Sequence, residues 1–151
     1  MRRRRKLQGG AILIELAVFV VPAFLMLLAF AVFYGQVLYN YQVAQKAADH
    51  AARYLAGAPA MNMSDSAQVG NEVALAKAIA EAGLRDVHPG INRGPFITVQ
   101  CGNGDCLGVG LPATVMVRVV IVNHNDLFND FAPEVTGGAM QVSSTRRYVG
   151  N

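Results

Sequence analysis

The spacing of hydrophobic and polar residues changes along the chain. The first clear pattern is a long apolar run over residues 11–34. Glu15 is the one charged side chain in that run. A helix of about 20 apolar residues can cross a bilayer core of roughly 30 Å. The run therefore predicts a transmembrane helix.

Beyond residue 34 the apolar pattern becomes a stripe at helical spacing. Apolar or small residues recur three and four positions apart: Tyr34, Val37, Tyr41, Ala44, Ala48, Ala51 and Leu55. Asp49 and Arg53 on the other side are spaced for an i,i+4 ion pair. One helix is predicted from residue 11 to about 56, roughly 70 Å long, ending at Gly57. The stripe either packs on the protein's own domain, its usual use, or lets a partner approach the alanines closely.

A second helix is predicted over residues 65–84, after a short polar connection at 61–66. Ser64 or Asp65 is the expected N-cap, and Gly83 lies near the end. Its inward face consists of small and β-branched residues: Val69, Val73, Ala76 and Ala80.

Strands follow over residues 96–101, 114–122 and 140–149. The middle strand is the clearest, since its valines and Ile121 alternate with polar or larger residues. Three successive strands with short links predict an antiparallel meander with helices on one face. The fold class is α+β, a small head carried by a long N-terminal helix.

The formal net charge of +3 is unevenly placed. Five of the 13 basic side chains form one block: Arg2, Arg3, Arg4, Arg5 and Lys6. Residues 11–151 carry 8 basic and 10 acidic side chains, so no nucleic-acid-binding body is expected. Beside an apolar helix the block predicts a cytoplasmic N-terminus and an exported remainder. A secretory signal peptide is disfavoured, because its apolar region is normally about 7–15 residues long with small residues at the cut.

Glu15 and Pro22 are the unusual residues of the predicted membrane helix. A carboxylate there costs about 2.5–3.5 kcal/mol at mid-membrane and usually marks a function, although near the helix start it can also snorkel toward headgroups. Pro22, two turns on, frees the carbonyl of Val18. It either bends the helix for a purpose or is an ordinary membrane-helix proline.

The residues around Glu15 read Lys6-Leu-Gln-Gly-Gly10-Ala11-Ile-Leu-Ile-Glu15. This resembles the processing site of type IV prepilins, with a basic leader, a glycine and Glu as fifth residue of an apolar helix. With the early Pro22, it is most similar to TadE-like minor pseudopilins of the tight-adherence (Tad/Flp, type IVc) pilus. Ala11 departs from the phenylalanine of the commonest pilins, and Leu16 departs from the tyrosine usual in the major tight-adherence pilins.

The resemblance implies cleavage between Gly10 and Ala11 by a prepilin peptidase, and a division into four parts. These are a leader at 1–10, a transmembrane helix at 11–34, its periplasmic extension at 35–57 and a periplasmic head at 58–151. It also implies a non-catalytic role in initiating, priming or capping the pilus, with adhesion and biofilm formation as outcomes. The implied partners are the major pilin, sister pseudopilins and the inner-membrane assembly machinery.

Several alternatives stay open at this point. The chain is also compatible with a TadF- or TadG-like sister, or with a pseudopilin of a type II secretion system. An uncleaved, signal-anchored periplasmic binding or sensing domain is the alternative from another class.

Cys101 and Cys106 are expected to form a disulfide, because the head is predicted to be exported to an oxidising compartment. Their spacing is not C-x-x-C, and a zinc site needs two further ligands that no neighbouring residue supplies. The glycines between residues 102 and 110 lack the Lys-Ser/Thr of a phosphate loop. No cofactor, metal or catalytic residue is expected.

Overall fold

The structure is a computed structural model that describes residues 8–85, 87, 94–122 and 138–150. The chain forms helices α1 (Gln8–Ala56), α2 (Ala60–Ser64) and α3 (Val69–Gly83) and strands β1 (Phe96–Cys101), β2 (Thr114–Val122) and β3 (Ala139–Arg147). The predicted α+β class is confirmed. By its internal contacts the chain divides into two compact units, Met1–Val37 and Leu38–Asn151.

The described part of the first unit is the apolar N-terminal stretch of α1. Its large hydrophobic side chains are exposed almost without interruption from Leu13 to Val32. The α-helix continues through Pro22. A stretch so apolar and so little buried has the character of a membrane-crossing helix rather than of a core helix in a soluble domain.

In the second unit, the remaining part of α1 is the central helix of the head. Its alanines are buried, and Ala44, Ala48 and Ala51 have no exposed surface. Small side chains let the neighbouring helix come close, since a Cβ on Gly83 of α3 would lie 3.0 Å from the Ala47 Cβ. This part of the predicted stripe therefore packs on the protein's own domain.

The second predicted helix begins later than expected. α3 starts at Val69, and the predicted connection contains the short helix α2. The expected caps are used locally: the Asp65 Oδ1 accepts from the Ala67 N–H at 2.9 Å, and the Ser64 hydroxyl donates to the Met61 carbonyl at 3.2 Å. The Ser64 bond lies within α2, and the Asp65 bond stabilises a turn where the first turn of the predicted helix was expected.

The sheet has the order β1-β2-β3, and both pairs are antiparallel. Val99, Val117 and Ser144 lie opposite one another on its inner face. The predicted alternation of β2 is confirmed, because every second residue is fully buried: Val115, Val117, Val119 and Ile121. This inner face and the alanines of α1 belong to one hydrophobic core.

The third strand ends at Arg147 rather than at the predicted residue 149. The residues that follow it leave the ladder and bind other backbone groups. The Val149 and Gly150 N–H groups donate to the Ala56 carbonyl at 3.0 and 3.3 Å. A carbonyl at the end of α1, which has no partner within the helix, is satisfied in this way.

Candidate functional site

The first candidate site is the exposed apolar stretch of α1 that contains Glu15. Leu13, Ile14 and Leu16 around this carboxylate are all more than half exposed. Within the described residues, the Glu15 carboxylate forms no hydrogen bond or ion pair. A helix with such a surface can pack against lipid or against other apolar helices, and its carboxylate can pair with a cation supplied from outside.

The other residues predicted for this site lie along the same stretch. Gly10 and Ala11 are within α1, which begins at Gln8, and Pro22 is an internal residue of the helix. The basic residues 2–6 lie outside the described residues. Among the residues that the structure does describe, no group of three or more His, Cys, Asp or Glu could hold a metal ion.

Cys101 and Cys106 form a disulfide that closes the loop after β1. The loop is also held by its backbone, since the Cys101 N–H donates to the Gly104 carbonyl at 2.8 Å. Farther along, Gly108 has a φ of +69°, and a Cβ there would lie 2.6 Å from the Ser66 nitrogen. The loop therefore presses directly on the backbone before α3, and only glycine fits at the contact.

A cavity of about 200 Å³ borders this loop, and Asp105 is its one charged lining residue. Pockets for small ligands usually enclose about 300–1,000 Å³ and hold several convergent polar groups. This cavity does not favour the interpretation of the head as a binding or sensing domain.

The head contains a buried carboxylate that the sequence analysis missed. Glu72 on α3 is only 9% exposed. It accepts hydrogen bonds from the Tyr54 hydroxyl of α1 and from the Asn62 Nδ2 of α2, each at 2.6 Å. The bond to Glu72, together with burial, raises the pKa of Tyr54 to about 12. The three head helices are thus joined by one satisfied polar cluster.

A second polar link joins α1 to the sheet. Asp49 forms the predicted ion pair with Arg53 at 2.9 Å, and it also accepts hydrogen bonds from Ser144 and Arg146 of β3. The hydrogen bond from Arg146 is the main reason why the pKa of Asp49 is lowered, and it outweighs the opposing effect of burial. Arg146 was not predicted as a partner, because its contact joins residues 97 positions apart.

An exposed apolar helix that continues into a small α+β head is typical of a membrane-anchored protein with a folded head. Residues 10–53 match the family model described as TadE-like protein. The matched region includes Glu15, Pro22 and the buried alanines from Ala44 to Ala52 of α1, so this part of the chain is similar to TadE-like proteins of the Tad pilus system. No curated protein and no solved structure matches the chain.

Proposed function

We propose that the protein is a minor pseudopilin that contributes to assembly of the Tad pilus, by initiating it, priming it or capping its tip. In this proposal a prepilin peptidase cuts between Gly10 and Ala11 on the cytoplasmic side of the inner membrane. Residues 11–34 then cross the membrane, residues 35–57 extend the helix into the periplasm, and residues 58–151 form the periplasmic head. The protein performs no catalysis and acts through subunit contacts.

The observation that carries the proposal is Glu15 on an exposed apolar helix. A carboxylate that is drawn from the membrane boundary to mid-membrane costs about 2.5–3.5 kcal/mol, which is on the order of 100-fold in an equilibrium constant. Cleavage before Ala11 creates an ammonium group, and a neighbouring subunit can present that group to Glu15. The pairing offsets the cost only when subunits associate, so it selects for assembly.

The packing of the head indicates which part of α1 meets other subunits. The alanines from Ala44 to Ala56 are occupied by contacts within the head. The side chains from Leu13 to Val32 are instead exposed along the helix. The contacts with the major pilin, sister pseudopilins and assembly machinery are therefore assigned to the N-terminal stretch, before the head begins.

The proposal is tested by Glu15→Ala, with Glu81→Ala as the matched control, since Glu81 is an exposed acid on α3. We expect Glu15→Ala to insert into the membrane and be cleaved normally, but to be lost from assembled pili. The Glu15→Asp protein should retain part of the normal incorporation. The Glu81→Ala control should be incorporated as well as the parent protein. Normal incorporation of Glu15→Ala would refute the role of this carboxylate.

The mass of the N-terminus tests processing separately. Protein isolated from membranes of cells with an active prepilin peptidase should begin at Ala11. A chain that still begins at Met1 or Arg2 would favour an uncleaved, signal-anchored periplasmic domain.

A further inference from the structure

The aromatic residues of α1 change type where its apolar stretch ends. All the phenylalanines of the helix lie inside the stretch: Phe19, Phe24, Phe30 and Phe33. The tyrosines outside the head core lie at the end of the stretch and just beyond it: Tyr34, Tyr39 and Tyr41. Phenylalanine is apolar throughout, whereas tyrosine carries a hydroxyl at the end of an apolar ring. The change of type therefore indicates a change of surroundings.

These three tyrosines differ from the other two in the chain. Tyr54 and Tyr148 lie in the head and donate hydrogen bonds to Glu72 and to the Ala58 carbonyl. Tyr34, Tyr39 and Tyr41 are 53%, 55% and 45% exposed, so folding leaves about half of each uncovered. Exposed tyrosines at the end of a membrane helix are typical of the membrane–water interface, where the ring meets acyl chains and the hydroxyl meets headgroups.

The spacing along the helix agrees with a bilayer. Tyr34 lies 19 residues after Glu15, which corresponds to about 28 Å at 1.5 Å per residue. The hydrocarbon core is roughly 30 Å thick. When Tyr34 lies at one boundary of the core, Glu15 is therefore at the opposite boundary and not at the centre.

We propose that Tyr34, Tyr39 and Tyr41 form a tyrosine collar that binds the lipid headgroup boundary and sets the depth of α1 in the membrane. The collar holds Glu15 at the far boundary, where a carboxylate reaches water and headgroups at little cost. One consequence for assembly rests on the proposed function. Glu15 meets its full desolvation cost only when the helix moves toward the head side, and that is when a counter-charge on another subunit is needed.

Depth can be measured with one tryptophan, because the chain has none of its own. Phe24 is about midway between Glu15 and Tyr34, roughly 14 Å from each. The full-length, uncleaved Phe24→Trp protein is placed in phosphatidylcholine–phosphatidylglycerol vesicles. The phosphatidylcholine carries bromine either near the headgroup or near the acyl chain ends. We expect fluorescence to be quenched more strongly by the deep bromines.

Replacing the three collar tyrosines with leucine should then shift the helix. The apolar stretch is extended to residue 41, so its midpoint moves by three to four residues, or about 5 Å. The tryptophan should move about 5 Å toward the leader side, so quenching by the deep bromines should weaken and quenching by the shallow bromines should strengthen relative to the parent. The basic residues 2–6 do not oppose this movement, since it takes them farther into water.

Two further variants keep the experiment decisive. Tyr34→Leu alone lies outside the head unit and should give a smaller shift in the same direction. Phe19→Leu replaces an exposed aromatic residue inside the stretch and should give none. An unchanged depth in both collar variants, or shallow quenching in the parent, would overturn the proposal. Neither cleavage nor pilus assembly enters the measurement, so its failure is distinguishable from failure of the proposed function.

Discussion

Glu15 and Glu72 are both carboxylates on helices, yet their surroundings are opposite. Glu72 is buried in the head and accepts two hydrogen bonds from the protein itself. Glu15 stands on an exposed apolar surface and belongs to the unit Met1–Val37. The head therefore satisfies the Glu72 carboxylate with its own groups, whereas the Glu15 carboxylate has no partner among the described residues and is open to a partner from outside. This difference separates residues that maintain the fold from residues available for assembly.

The largest expected effect on stability comes from Glu72→Ala. It leaves the partly buried Tyr54 hydroxyl and Asn62 amide without the charged acceptor that they share, which should lower the free energy of unfolding by about 3 kcal/mol. The same change at Glu15 should leave the unfolding of the head unchanged. Denaturant unfolding in detergent measures the free energy of unfolding of both variants. If Glu72→Ala and Glu15→Ala lowered it equally, the division between fold-maintaining and assembly residues would be contradicted.

A smaller effect is expected from placing leucine at matched alanines of α1. Ala51 is fully buried against the head core, whereas Ala17 lies on the exposed stretch. Ala51→Leu should cost about 2 kcal/mol, since a close-packed core has no room for the added methyl groups. Ala17→Leu should cost nothing measurable in the same unfolding assay. A stable Ala51→Leu head would show that the alanine packing is looser than described.

The smallest effect concerns the link between Asp49 and Arg146. Because the pKa of Asp49 is lower in the folded state than its ordinary value of 3.8, the link stabilises the fold above about pH 4. This contribution is lost as pH falls through the folded pKa. Arg146→Ala should remove about 1 kcal/mol or less at pH 7, as for other exposed pairs.

Unfolding measured at several pH values tests that link. The difference between Arg146→Ala and the parent should shrink as the pH falls below 4 and through the lowered pKa of Asp49. A difference that stays constant down to low pH would mean that Arg146 acts through packing alone.

Local patterns predicted much of this fold. The bounds of β1 and β2 are as predicted, because alternation of β-branched residues is a local signal. α1 ends at Ala56, followed by the predicted glycine. The start of α3 was misplaced, because Ser64 and Asp65 suit both a helix cap and a turn, and only the surrounding chain decides between them.

The sites divide in the same way. Glu15 was found from sequence, since a charge within an apolar run is conspicuous. Glu72 was missed because it shares the inward side of α3 with Val73, and the periodicity alone favoured the valine. The Asp49–Arg53 pair was predicted from i,i+4 spacing, whereas the bonds from Ser144 and Arg146 to Asp49 and the partners of Glu72 come from other segments and follow from the assembled fold.

The contact at Gly108 limits how this protein can diversify. Its neighbours Leu107 and Val109 are largely exposed, so their side chains can be exchanged without disturbing the head. Any side chain at position 108 would collide with the backbone at Ser66. The positive φ of Gly108 is also a backbone conformation that residues with a side chain rarely adopt. Natural variants of the head should therefore keep glycine at position 108, while the exposed residues on both sides of it vary freely.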